Sequence, residues 1–130
     1  MPSRAEDWYN QAAKDLDTAE RMEELGRHEW SCFAAQQAAE KAVKALHLRL
    51  GQDAWGHVVA ELLEELPKEV EAPSSVVESG RVLDNYYIPT RYPNSHPKGA
   101  PFEHYGPFQS ADALKHARIV IAFSAEKGGF

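Results

Sequence analysis

The sequence predicts an all-α, up-and-down bundle of four to five helices with a long ordered loop before the last helix. Three observations carry this. Apolar residues recur every three or four positions along most of the chain, and no segment shows the alternation of a half-buried strand. Short connections between the early helices favour antiparallel neighbours. Five of the eight prolines, at 89, 93, 97, 101 and 107, fall in one stretch from Pro89 to Gln109 that also holds Gly99 and Gly106, so no helix runs through it.

Ser3 and Glu6 have the spacing of a capping box, after which Trp8, Ala12, Leu16, Ala19 and Met22 mark a first helical face. Gly26 is a natural stop. A second helix is expected from about Glu29 to Leu50, closed by Gly51, with an alanine stripe at Ala34, Ala38, Ala42 and Ala45. Its apolar residues lie on more than one face, which suits a central helix packed on two sides. A shorter third helix is expected from about His57 to Leu66, halted at Pro67. Ser75 and Glu78 repeat the capping box before a fourth helix carrying Val76, Gly80, Leu83 and Tyr87 and ended by Pro89. Ser110 with Asp112 is expected to open the last helix, through Leu114, Ala117, Ile121 and Ser124.

Length and composition narrow the function classes. The 130 residues suit one domain with one modest core, and 43% hydrophobic with 26% charged content is ordinary for a globular chain. No apolar run reaches membrane-spanning length, and Met1-Pro2-Ser3-Arg4-Ala5-Glu6 lacks the apolar core of a signal peptide. Cys32 is the only cysteine; it suits a reducing cytoplasm and is expected to be a buried thiol rather than a nucleophile. A net charge of −6 argues against a broad surface for nucleic-acid duplexes. The charge is uneven, however. Residues 61–84 hold seven acids against Lys68 and Arg81, whereas the proline-rich loop holds Arg91 and Lys98 against Glu103, with His96 and His104 beside them. A small cationic site of this kind can hold one or two phosphates.

That loop is the leading candidate for a site. Loops of this length inside a domain tend to be functional or disordered, and Tyr92, Phe102, Tyr105 and Phe108 give this one groups with which to anchor itself. Arg91 has an ordinary alternative role, pairing with Asp84 or capping the fourth helix; exposure is the ordinary state of His96. His28 and His116 read as solvated helix positions, and His47 lies beside the apolar face. His57 and Glu61 share helical spacing, but no second His or Cys pair accompanies them, so no dedicated metal site is expected. Glu40 and Lys44 form an i,i+4 pair worth about 0.3 kcal/mol in isolation. Lys41 and Lys44 on this polar edge, Tyr92 as a base-stacking group, Lys98 and His104 complete the substrate-binding candidates.

The second helix reads Ala34-Ala35-Gln36-Gln37-Ala38-Ala39-Glu40-Lys41-Ala42-Val43-Lys44-Ala45-Leu46 and precedes Leu83-Asp84-Asn85-Tyr86-Tyr87-Ile88-Pro89-Thr90-Arg91-Tyr92-Pro93. With the Arg-x4-His motif at Arg91 and His96, the chain resembles the HEPN domain family (nucleotide-binding domains of higher eukaryotes and prokaryotes) from about Trp8 to Ala125, with 1–130 as one HEPN-like domain. The resemblance implies a homodimeric bundle in which two Arg-His pairs converge at the interface. Many members are metal-independent RNases. Many single-domain bacterial members pair with a minimal nucleotidyltransferase as toxin and antitoxin.

By this resemblance Arg91 and His96 are the expected catalytic pair. The Arg would hold the scissile phosphate and the His would move protons on the RNA 2′-OH and leaving oxygen. Tyr92 stands where nuclease members often have a polar residue, and Lys98 stands where the toxin subgroup often has a Tyr that the partner modifies with AMP. The function expected is therefore binding of, or action on, RNA or nucleotides, its enzymatic form being a cofactor-free endoribonuclease toxin. The alternative is a catalytically silent nucleotide-binding or protein-interaction module that partners the nucleotidyltransferase.

Overall fold

In the computed structural model, which describes residues 3–130, α1 (Ala5–Glu24) and α2 (His28–Arg49) form an antiparallel hairpin. Ser31 Oγ donates to the Ala19 carbonyl at 2.7 Å, Lys41 pairs with Asp15, and Arg49 lies 3.6 Å from Glu6, so partners run in opposite directions along the two helices. The sharp reversal depends on Gly26, at φ 74°. There the Arg27 N–H bonds the Met22 carbonyl at 2.8 Å and the Gly26 N–H bonds that of Glu23 at 3.0 Å, the paired closure that a left-handed residue after a helix allows. Gly51 ends α2 in the same way: its N–H reaches Leu48 O, and the Gln52 N–H reaches His47 O.

The chain continues through α3 (Val59–Glu64), a 3-10 turn at Lys68–Val70, α4 (Ser74–Asp84), 3-10 turns at Pro93–Ser95 and Pro101–Glu103, and α5 (Pro107–Gly128). No strand occurs among the described residues. Ser79 bonds His116 at 2.9 Å and Tyr86 bonds Asp112 at 3.2 Å, which sets α4 antiparallel to α5. His28 meets Ser110 at 2.8 Å and Arg49 Nε donates to Gly128 O at 3.0 Å, so α2 and α5 run parallel. The order is up-and-down, as the sequence predicts, with α2 at the centre. Its fully buried Ala35, Ala38, Ala39, Ala42 and Ala45 let neighbours approach closely, and Val43, Leu46, Leu63, Leu83, Leu114, Val120 and Phe123 fill the core around them. None of the described helices is long and apolar enough to cross a membrane.

Several boundaries differ from the sequence expectation, each for a local reason. Ser3 Oγ accepts the Ala5 N–H at 3.0 Å, but Glu6 completes no capping box and instead faces Arg49. The third helix begins at Val59 rather than His57, because the Asp84 carboxylate accepts the N–H groups of Val59 at 2.6 Å and Ala60 at 3.2 Å. A side chain distant in sequence thus sets the N-terminus of this helix. The fourth begins at Ser74 without a side-chain cap and closes at Asp84, three residues before Tyr87, as the Asn85 and Tyr86 N–H groups turn back to Val82 and Leu83. The last helix starts at Pro107, where the missing N–H costs nothing. Gln109 Oε1 accepts the Gly106 N–H at 2.8 Å there, while Ser110 sits buried inside the helix.

The histidines expected to be solvated are not. His28 and His116 are only partly exposed and join helices through Ser110 and Ser79. His47 is buried and reaches the Leu62 carbonyl at 2.8 Å. Cys32 is buried, as expected, and its burial pushes the thiol pKa up to about 12.

Candidate functional site

The turn after α4 carries Arg91 and His96 and is fastened to itself before it is fastened to anything else. Thr90, buried, donates through Oγ1 to the Tyr86 carbonyl at 2.8 Å. Arg91 Nε–H donates to Tyr87 O at 2.9 Å. His96 Nε2 lies 2.7 Å from Pro89 O, and because a carbonyl can only accept, that nitrogen carries the proton. The Nδ1 of neutral His96 is then an unprotonated acceptor. His104 is held in the same manner, its Nε2 donating to Lys98 O at 2.6 Å. The two imidazoles stack at 4.2 Å with planes 4° apart, and Tyr105 meets the His96 ring edge-on at 5.9 Å. Gly99 at φ 82° turns the chain between them; a Cβ there would lie 3.2 Å from His104 Nε2.

Arg91 sits on an aromatic platform. Its guanidinium carbon is 4.3 Å from the Phe33 ring centre, 4.7 Å from Tyr87 and 5.1 Å from Tyr92. Phe33 comes from α2, so the second helix supplies the floor on which the loop cation rests. Six of the seven arginines face a carboxylate, and Arg91 alone does not among the described residues. Asp84, the partner its position suggested, is occupied with α3, and its carboxyl is raised above the ordinary range by burial despite the two amide bonds. Among the described residues, only one of the five guanidinium hydrogens is committed to the protein, which leaves the outer fork available to an anion.

The remaining candidates are distributed around this platform. Tyr92 is 46% exposed beside the guanidinium, with Trp30, 43% exposed, edge-on to Phe33 at 5.9 Å. Lys41 lines a groove of about 290 Å³ between α1 and α2, together with Trp30, Phe33, Gln37 and Asp15. Its ammonium is paired with Asp15. Lys44 is nearly buried and lies 3.1 Å from Glu40, so this is an interior pair rather than a solvated one. Lys98 contributes its carbonyl to His104, and its position is exposed.

Two groups that the sequence reading left out of the site belong beside it. His57, which Glu61 was to join, instead places Nδ1 3.1 and 3.2 Å from the two Glu40 oxygens and stacks on Tyr87 at 4.7 Å. Glu40 itself is 4% exposed and also accepts from Gln36 at 3.2 Å. The available signal was Gln36 and Glu40 placed four apart within an alanine-rich helix, polar groups that burial obliges to find partners. No three His, Cys, Asp or Glu side chains converge as a metal site among the described residues.

Comparison with known proteins agrees with the architecture. The HEPN domain family profile matches residues 5–127. The chain is similar to TT1696 from Thermus thermophilus, at 49% identity over 97% of this chain and 99% of that one, with a TM-score of 0.95. It is also similar to ST0689, described as an archaeal HEPN homologue, at 32% identity over 98% and 99% of the two chains and a TM-score of 0.83. An HEPN domain protein from Thermotoga maritima, tm0613, shares 32% identity over 92% of this chain and 95% of its own, with a TM-score of 0.74. Among curated proteins, none matches the chain. The family match over most of its length and the shared bundle place it together with these proteins: the chain belongs to the HEPN domain family.

Proposed function

We propose that this protein is a metal-independent endoribonuclease that works as a homodimer, with Arg91 and His96 at its centre. The observation that carries this reading is Arg91. In a chain of net charge −6, it is the one arginine kept from every carboxylate among the described residues, fixed by a single bond from Nε and supported on aromatic rings. A cation with a free planar fork suits a phosphate diester, whose two non-bridging oxygens match it. His96, five residues on, has Nε2 tied and Nδ1 open, which is the state of a general base. In the reaction, the 2′-oxygen attacks the adjacent phosphorus as His96 takes its proton, and the bond from phosphorus to the 5′-oxygen breaks. A second imidazole supplies the proton that completes the leaving group, so the products are a 2′,3′-cyclic phosphate and a free 5′-hydroxyl. Tyr92 and Trp30, both half-exposed, would stack bases of a single strand.

The dimer would place one such loop opposite another and cover the exposed rings around Arg91. A minimal nucleotidyltransferase is the expected partner, and it would silence the site by covering or modifying the loop.

Cleavage of single-stranded RNA in EDTA, with cyclic phosphate ends mapped on the products, tests the reading, together with light scattering at micromolar concentration. Activity lost on chelation, activity retained in His96→Ala, or a monomer with separate loops would overturn it. Binding of RNA without cleavage would favour the silent nucleotide-binding module.

A further inference from the structure

We propose that each chain carries its own second proton-transfer group: His57, held through Nδ1 by the buried Glu40, donates a proton from Nε2 to the departing 5′-oxygen of the RNA whose phosphate Arg91 grips. The inference rests on the endoribonuclease reading and adds to it the acid that the Arg91–His96 pair lacks within one chain. Departure of the 5′-alkoxide needs a proton, and within the same chain His96 is already engaged in removing one from the 2′-hydroxyl.

The geometry of His57 is that of an oriented imidazole. A carboxylate only accepts, so the nitrogen 3.1 Å from Glu40 Oε1 carries a hydrogen. The opposite nitrogen, Nε2, has no hydrogen-bond partner among the described residues, and the side chain is 54% exposed. Its backbone is fastened as well, since Gln36 Nε2 donates to the His57 carbonyl at 3.1 Å. A carboxylate behind the ring sets its tautomer and stabilises the imidazolium when it forms, the arrangement seen in catalytic triads. Structural need does not explain the contact: Lys44, 3.1 Å from Glu40 Oε2, already supplies a counter-charge to the buried carboxylate.

The ring on which His57 rests makes it part of the site. Tyr87 stacks with His57 at 4.7 Å and 16°, and the same ring carries the Arg91 guanidinium, also at 4.7 Å. The Tyr87 carbonyl is the acceptor that anchors Arg91 Nε. One residue therefore contacts both the phosphate-gripping cation and the imidazole. The two histidines are complementary: His96 has Nε2 tied and Nδ1 free, while His57 has Nδ1 tied and Nε2 free. In the balanced step, His57 enters as the imidazolium, protonated on both nitrogens. The 2′-OH proton passes to His96, the phosphorus–5′-oxygen bond breaks, and the Nε2 proton completes the leaving hydroxyl, which leaves His57 neutral with its Nδ1–H on Glu40.

The test uses two RNA substrates, one ordinary and one with sulfur in place of the bridging 5′-oxygen, a leaving group that departs without protonation. Wild type, His57→Ala, His57→Gln and His96→Ala are compared after thermal unfolding shows them folded. His57→Ala should slow ordinary RNA by about 10²- to 10⁴-fold and the thio-substrate by only a few-fold. His57→Gln, which keeps a donor for Glu40 but cannot transfer a proton, should behave alike. His96→Ala should be slow on both. Full activity of His57→Gln, or equal slowing of both substrates by His57→Ala, would overturn the assignment while leaving the endoribonuclease reading intact. A wild type that cleaves neither substrate would overturn that reading and this inference with it.

Discussion

Replacing Arg91 with Lys asks whether the fork matters or only the charge. The guanidinium has five N–H groups, and one of them makes the 2.9 Å bond to Tyr87 O while the rest have no partner among the described residues. An ammonium has one nitrogen, which can satisfy that carbonyl or reach a phosphate but cannot span both with planar geometry. A hydrogen bond from a charged donor is worth about 1.5–3 kcal/mol net, and the cation–ring contact with Phe33 and Tyr87 adds roughly 0.5–1 kcal/mol at a partly exposed position. Losing one of these functions should therefore cost about 1.5–3 kcal/mol at the site. That corresponds to roughly 10- to 100-fold in affinity for a short single-stranded RNA. Core packing involves neither group, so the midpoint of thermal unfolding should move by no more than about 4 °C. Fluorescence anisotropy at fixed salt, with circular dichroism on the same samples, reads both quantities. A lysine variant that binds RNA within about twofold of wild type would show that the free fork is not what holds phosphate.

Three other expectations follow from particular residues. Cys32, whose thiol pKa burial holds at about 12, should resist iodoacetamide at about pH 8 in the folded protein and react fully in denaturant; rapid native labelling would contradict its placement. The Asp84 carboxyl binds its proton more tightly in the folded chain, so its contribution favours the fold at low pH and fades as pH rises from the ordinary value of 3.8 through the raised one. In urea titrations, the unfolding free energy of wild type minus that of Asp84→Asn should accordingly fall as pH rises from 3.8, and a rise would refute the sign. After co-expression with a minimal nucleotidyltransferase, intact-mass analysis should place any AMP on Tyr92 or Tyr105, since Lys98 offers no phenol; an adduct mapped to Lys98 would refute this.

What the sequence determined by itself was whatever depends on neighbours along the chain. Helical periodicity, the stops at Gly26 and Gly51, and the absence of an α-helix between Pro89 and Gly106 are local effects, and each is present in the fold. The Arg91–His96 segment was legible for the same reason, because its cation, Pro93 and its imidazole lie within six consecutive residues. Tertiary structure alone decided which partners those groups meet. Asp84 leaves Arg91 and caps α3 from 25 residues away, and Phe33 reaches under Arg91 from another helix. His57 turns from Glu61 to Glu40, and the Glu40–Lys44 pair, expected on a solvated edge, lies in the interior. Such choices follow from the need of every buried polar group for a partner and from the shape of the packed helices, and neither has a period along the chain.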